Sequence, residues 1–117
     1  MGLWSRPLGR ADVRAVYEVS AAQGLVDVGE IVVEEAEIVA DWQRPTFDVG
    51  ECTVGVFAGD RLVGYAEVTS ADRGDAAVHP EFRGRGVGRW LAEWMQDTAR
   101  GRGRACGRDA RTAGLGW

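Results

Sequence analysis

The stretch Ala77-Val78-His79-Pro80-Glu81-Phe82-Arg83-Gly84-Arg85-Gly86-Val87-Gly88-Arg89-Trp90-Leu91 decides how this chain folds. Pro80 has no N–H to give to a ladder, so it closes the short apolar run before it as a strand end. Glycines 84, 86 and 88 then remove Cβ atoms from a strand-to-helix junction, which lets backbone amides crowd toward a ligand. Those amides open a helix, where unpaired N–H groups and the helix dipole favour an anion. Arg83, Arg85 and Arg89 add guanidinium forks that match phosphate oxygens, each charge-assisted bond being worth about 1.5–3 kcal/mol. On physical grounds the segment reads as a pyrophosphate cradle. The dinucleotide fingerprint is excluded, because Arg89 stands where its third glycine would fall.

Upstream of this junction the chain predicts a short edge strand within 2–7, limited by Pro7. A helix over 11–23 follows, with Val13, Val16, Tyr17 and Ala21 at helical spacing and Gly24 just past its end. A second helix carries the stripe Val33, Ala36, Val39 and Trp42, and Pro45 stops it. Cys52 to Ala58 reads as a strand, Gly59-Asp60 as a tight turn and Arg61 to Ser70 as its hairpin partner. A further turn at 72–75 leads into a strand over Ala76 to His79. Downstream, Val87 to Arg100 is helical, with Val87, Leu91, Met95 and Thr98 on one face and Trp90 and Trp94 widening it. The order β-α-α-β-β-β-α indicates an α+β fold with a mixed or antiparallel sheet and helices packed on it.

The chain has 117 residues, enough for a single core. All 14 of its basic side chains are arginine. Without lysine there is no Walker-type phosphate loop, no Schiff base and no lysine general base. One histidine and two cysteines are too few for a His/Cys zinc site or a disulfide scaffold, so no metal is expected. Cys52 and Cys106 are read as thiols, Cys52 in the core. There is no apolar run long enough to span a bilayer and no secretory h-region at the start, so a cytoplasmic location is expected. Charge is divided: residues 1–82 carry a balance of −9 and residues 83–117 a balance of +5. A basic segment on an acidic body suggests a local anion site.

The set Val78-His79-Pro80, Arg83-x-x-Gly86-x-Gly88 and Leu91 resembles the coenzyme A signature of the GCN5-related N-acetyltransferases (GNAT). The resemblance extends upstream through Gly64-Tyr65-Ala66-Glu67-Val68 and covers roughly residues 3–103, which sets the expected domain at 1–103 and leaves a Gly/Arg-rich tail at 104–117. It implies that Arg83, Gly84, Arg85, Gly86, Val87, Gly88 and Arg89 hold the pyrophosphate of acetyl-CoA as co-substrate. It also implies that the backbone at Val78 pairs with the pantetheine arm and polarises the thioester carbonyl. The reaction implied is direct attack by a neutral amine of a small molecule or a protein N-terminus. Proteins of this family continue past the helix with a further strand, helix and strands. The segment after Arg100 has no β-branched run that could form such a strand, so the fold is expected to lack that C-terminal portion. An open sheet edge at 76–79 then predicts a homodimer.

Two side chains are candidates for proton removal. Glu67 lies on the strand before the signature and could face the acceptor, or could sit on a solvated face. His79, the sole imidazole, has a suitable ordinary pKa beside the thioester site, but a loop side chain pointing to water is equally natural. Tyr17 and Tyr65 are possible acids, though packed tyrosines fit both positions. Two functions compete with catalysis. One is a coenzyme A-binding or regulatory remnant, which the missing C-terminal portion would favour. The other is nucleic-acid contact through Arg100-Gly-Arg-Gly-Arg104, which the acidic body and the absence of interleaved aromatics make the weakest.

Overall fold

The computed structural model describes residues 2–31, 33–44, 47–70 and 73–106. Its strands are β1 (Leu3–Arg6), β2 (Thr53–Ala58), β3 (Arg61–Ser70) and β4 (Arg73–Val78). They form one antiparallel sheet in the order β1-β2-β3-β4. The helices are α1 (Val13–Val28), α2 (Glu35–Trp42), the short α3 (Val49–Cys52) and α4 (Val87–Cys106), with 3-10 turns at Arg10–Asp12 and Pro80–Phe82. The α+β order is the one the sequence predicts, with α3 added.

Two apolar layers sandwich the sheet. On one face α1 and α2 bury Val13, Val16, Val19, Ile38 and Trp42 against Phe57, Tyr65 and Ala77. On the other, Val87 and Leu91 of α4 pack on Val54, Val56, Val63 and Ala66. Close seating of α4 depends on Gly64, where a Cβ would lie 2.9 Å from Val87 Cγ1 and 3.4 Å from Leu91 Cδ1. The missing side chain lets the first turn of α4 rest on the strand.

The structure corrects several expectations. Helix α1 runs past Gly24 to Val28 and ends at Gly29, whose φ of 81° and N–H to Leu25 O (3.1 Å) make a left-handed cap. In α2 the buried pair is Ile38 and Trp42, while Ala36 is exposed. Register decides this: the i,i+4 pair faces the sheet, and α2 is too short for a second stripe. Residues 73–75 belong to β4, because Gly74 and Asp75 pair with Val68 and Glu67 and the ladder outweighs their turn propensity. Residues 71–72 of the expected turn lie outside the described residues. Trp90 is 42% exposed, so it does not widen the buried face of α4.

Cys52 is fully buried but disulfide-bonded, which corrects the thiol reading there. The packing of α3 against α4 brings sequence-distant segments together at this point, a contact that composition alone could not reveal. The Cys106 side chain is outside the described residues. Backbone of α4 continues to Cys106, into the segment expected as a tail, and 107–117 likewise lies outside. Among the described residues no helix is long and apolar enough to cross a membrane.

Candidate functional site

The junction after β4 folds as its glycines require. Gly84 and Gly86 adopt φ values of 80° and 83°, in the left-handed region that costs other residues roughly 1–2 kcal/mol. No heavy atom lies within 4 Å of where a Cβ would stand at either position, so it is backbone conformation that calls for glycine there. Gly86 O accepts from Trp90 N–H at 3.0 Å, making Gly86 the residue that caps α4. The N–H groups of Val87, Gly88 and Arg89 therefore have no acceptor within the helix and point toward its N-terminal end.

The arginines beside this turn are held by neighbours. Arg83 pairs with Asp27 of α1 at 2.7 Å. The Arg85 guanidinium lies over the Phe82 ring, 4.8 Å from its centroid, and Arg89 approaches Glu93 at 3.7 Å. All three remain exposed enough to turn toward an anion.

Val78 sits at the end of β4 opposite Gly64. His79 N–H donates to Val63 O at 2.8 Å, so Gly64 and Val78 form a non-hydrogen-bonded pair and the Val78 N–H points away from β3. That outward donor is taken by the side chain of Gln23 on α1, whose Oε1 accepts at 2.8 Å. Sequence reading assigned Gln23 no role, and nothing local marks it, since its partner is 55 residues away.

Beside this edge lies a cavity of about 330 Å3, bounded by α1, α2, β3 and β4. Among the described residues its lining includes four carboxylates, Glu37, Asp41, Glu67 and Asp75, and no basic side chain. Glu67 is 6% exposed, and the Trp42 indole N–H donates to its Oε1 at 3.1 Å. Burial raises its carboxyl to about 7; the carboxylates of Asp75 and Asp41 push the same way, against the Trp42 bond and Arg44. Tyr65 also lines the cavity, accepts from Ser20 Oγ at 3.4 Å, and is raised to about 12, chiefly by burial. Among the described residues no group of three His, Cys, Asp or Glu converges to hold a metal ion.

The structure does not bring the two proposed bases together. Glu67 faces the cavity, whereas His79 is absent from its lining and meets Arg61, Glu81 and Phe82 instead. His79 Nδ1 accepts from Glu81 N–H at 3.1 Å, so in the neutral ring Nε2 carries the proton. The 3.2 Å approach of Arg61 to Nε2 is then a contact between two donors. Tyr17 packs at the edge of the core, with Arg14 over its ring.

Residues 12–112 match the acetyltransferase (GNAT) family. The chain belongs to that family. It is 43% identical to the mycothiol acetyltransferase of Streptosporangium roseum, over 80% of this chain and 29% of that protein. A GCN5-related N-acetyltransferase from Sphaerobacter thermophilus has a TM-score of 0.74 at 31% identity, covering 86% of this chain and 33% of that one. The fold is also shared with yncA from Salmonella typhimurium, at TM-score 0.66 and 20% identity, over 86% of this chain and 64% of that one. The GNAT chain thus spans about a third of the length of the first two relatives.

Proposed function

We propose that this chain transfers acetyl from acetyl-CoA to an amine, with Glu67 as the group that takes the amine's proton. The observation that carries the reading is the placement of two opposite electrostatic sites on one strand: outward amides and arginines at the end of β4, four carboxylates along its flank. Anionic pyrophosphate suits the first, and a cationic amine suits the second. In support, yncA was solved with acetyl-CoA as its cofactor.

In this reading the Val87, Gly88 and Arg89 N–H groups bind pyrophosphate oxygens, with Arg83 and Arg85 turning in from Asp27 and Phe82. The outward β4 edge, Val78 N–H included, pairs with the pantetheine arm and polarises the thioester carbonyl, as an extended segment adds to an open sheet edge. Acetyl-CoA supplies the activated thioester. The amine enters as ammonium, drawn by Glu37, Asp41 and Asp75, and must lose a proton before it can attack. Glu67, with its carboxyl near neutrality, has a basicity suited to accepting that proton directly or through one water near neutral pH. Attack forms the C–N bond, and as the C–S bond breaks the proton still on the nitrogen passes to the departing thiolate, leaving amide and thiol; Glu67 then returns the first proton to solvent. His79 holds the turn at Pro80–Phe82 through the Glu81 N–H and positions the loop.

The test separates binding from chemistry. Calorimetry with acetyl-CoA should give saturable binding by the wild type and by Glu67→Gln alike. Thiol release over a panel of small amines and N-terminal peptides should fall about 10²–10⁴-fold in Glu67→Gln, the usual contribution of a general base. Binding without turnover in the wild type would favour the alternative, a coenzyme A-binding remnant; absence of binding would exclude both. The expected cytoplasmic location and the absence of nucleic-acid binding belong to this reading and are checked by fractionation and by a salt titration with RNA.

A further inference from the structure

Gln23 and Asp27 are four residues apart on α1 and therefore share one helix face. Gln23 presents a neutral carbonyl to the Val78 N–H at 2.8 Å, and Asp27 presents an anion to the Arg83 guanidinium at 2.7 Å. A coenzyme would bring the same two groups to the same two donors: a carbonyl of its arm to the edge N–H and a phosphate to the arginine. The end of α1 that carries this pair is otherwise weakly held. Residues 25–30 are all exposed, with Leu25, Val26 and Val28 between 54% and 64% accessible, so burial does little to fix the last turns. Upstream, Val13, Val16, Val19 and Ala21 anchor the helix in the core.

We propose that the C-terminal end of α1 is a latch that imitates the coenzyme, Gln23 and Asp27 occupying the Val78 N–H and the Arg83 guanidinium until acetyl-CoA displaces them. The inference rests on the coenzyme site proposed above. Displacement frees a side-chain amide at the rim of the acidic cavity, which Gln23 also lines, so coenzyme entry and the shape of the acceptor site are linked. Both residues set affinity by competition, and neither touches the reacting atoms.

The test uses coenzyme A and acetyl-CoA titrated into the whole chain by calorimetry, with the Val78 amide resonance followed by 15N NMR. Gln23→Leu removes the competing acceptor while keeping an apolar stem. It should tighten coenzyme binding about 3- to 10-fold, independently of salt, as expected for loss of one hydrogen bond that the ligand must otherwise replace. Its Val78 amide should lie upfield of the wild-type position before ligand is added and move downfield on coenzyme binding by more than in the wild type, where one acceptor merely replaces another. Asp27→Asn should tighten binding by a smaller factor that fades at high salt, as an exposed ion pair does. A gain in Asp27→Asn alone would mean simple relief of charge repulsion and would overturn the latch, as would unchanged or weaker binding by Gln23→Leu with a native-like spectrum. If neither wild type nor variants bind coenzyme, it is the proposed function that fails, and the latch falls with it.

Discussion

At the scale of single residues, Glu67 carries the proposed proton transfer. Its carboxyl is held near 7 in the fold against an ordinary value of 4.5, chiefly because burial disfavours the charge. The folded chain therefore keeps this proton where the unfolded chain has released it. The stability associated with the protonated group is fully present below about pH 4.5 and is lost as pH rises through about 7, an effect on the order of 3 kcal/mol. Glu67→Gln keeps an acceptor for the Trp42 indole and removes the titration. Urea midpoints of the wild type should thus fall relative to Glu67→Gln between pH 5 and pH 8, with the variant the more stable at pH 8. In the wild type, kcat/KM should rise over the same window as the base becomes unprotonated. Parallel midpoints for the two proteins across that window would show that Glu67 is not held protonated, and would remove the basis for its role.

Among the elements, α4 and its preceding loop were legible in the sequence because what defines them is local. Left-handed φ at Gly84 and Gly86, the Pro80 strand stop and the Val87/Leu91 spacing all lie within one short stretch. The contacts that build the rest of the site join distant positions, and no local pattern encodes them. Trp42 finds Glu67 across 25 residues, and Gln23 finds Val78 across 55. Neighbouring turns misled for the same reason. Gly24 is a natural helix end, yet α1 runs on to Gly29, and Gly74-Asp75 is a natural turn, yet the ladder with β3 claims it. Gly64 is the point where the sheet and α4 meet. Gly64→Val would drive side-chain atoms into Val87, which cannot swing aside as a long flexible chain would. Lifting the first turn of α4 should cost about 1–3 kcal/mol and tilt the amides of residues 87–89 out of alignment. The expected outcome is a lowered thermal midpoint together with coenzyme binding weakened at least tenfold; a full loss of stability with unaltered affinity in the remaining folded fraction would contradict this coupling of packing to the loop.

For the whole molecule, part of the charge pattern read along the sequence has a place in space: Arg83, Arg85 and Arg89 stand at the loop and helix start proposed to take the anion, and carboxylates of the acidic body line the cavity beside β4. Both sites share that strand, and β4 is also an edge of the described sheet. By the register with β3, the N–H groups of Gly74, Ala76 and Val78 point outward, a row of donors that either a coenzyme arm or another strand can use. A second copy of the chain pairing through β4 and a bound coenzyme therefore compete for the same groups. Sedimentation velocity should reveal association that grows with protein concentration in the absence of ligand and recedes toward monomer when acetyl-CoA is saturating. The same edge explains why the two outcomes must trade off: each outward N–H has one hydrogen to give, so occupancy by the coenzyme's arm leaves the partner strand with unpaired carbonyls and a weaker interface. Dimers that persist unchanged in saturating acetyl-CoA would place the interface elsewhere, and a monomer at every concentration would show that this edge does not pair with a second copy.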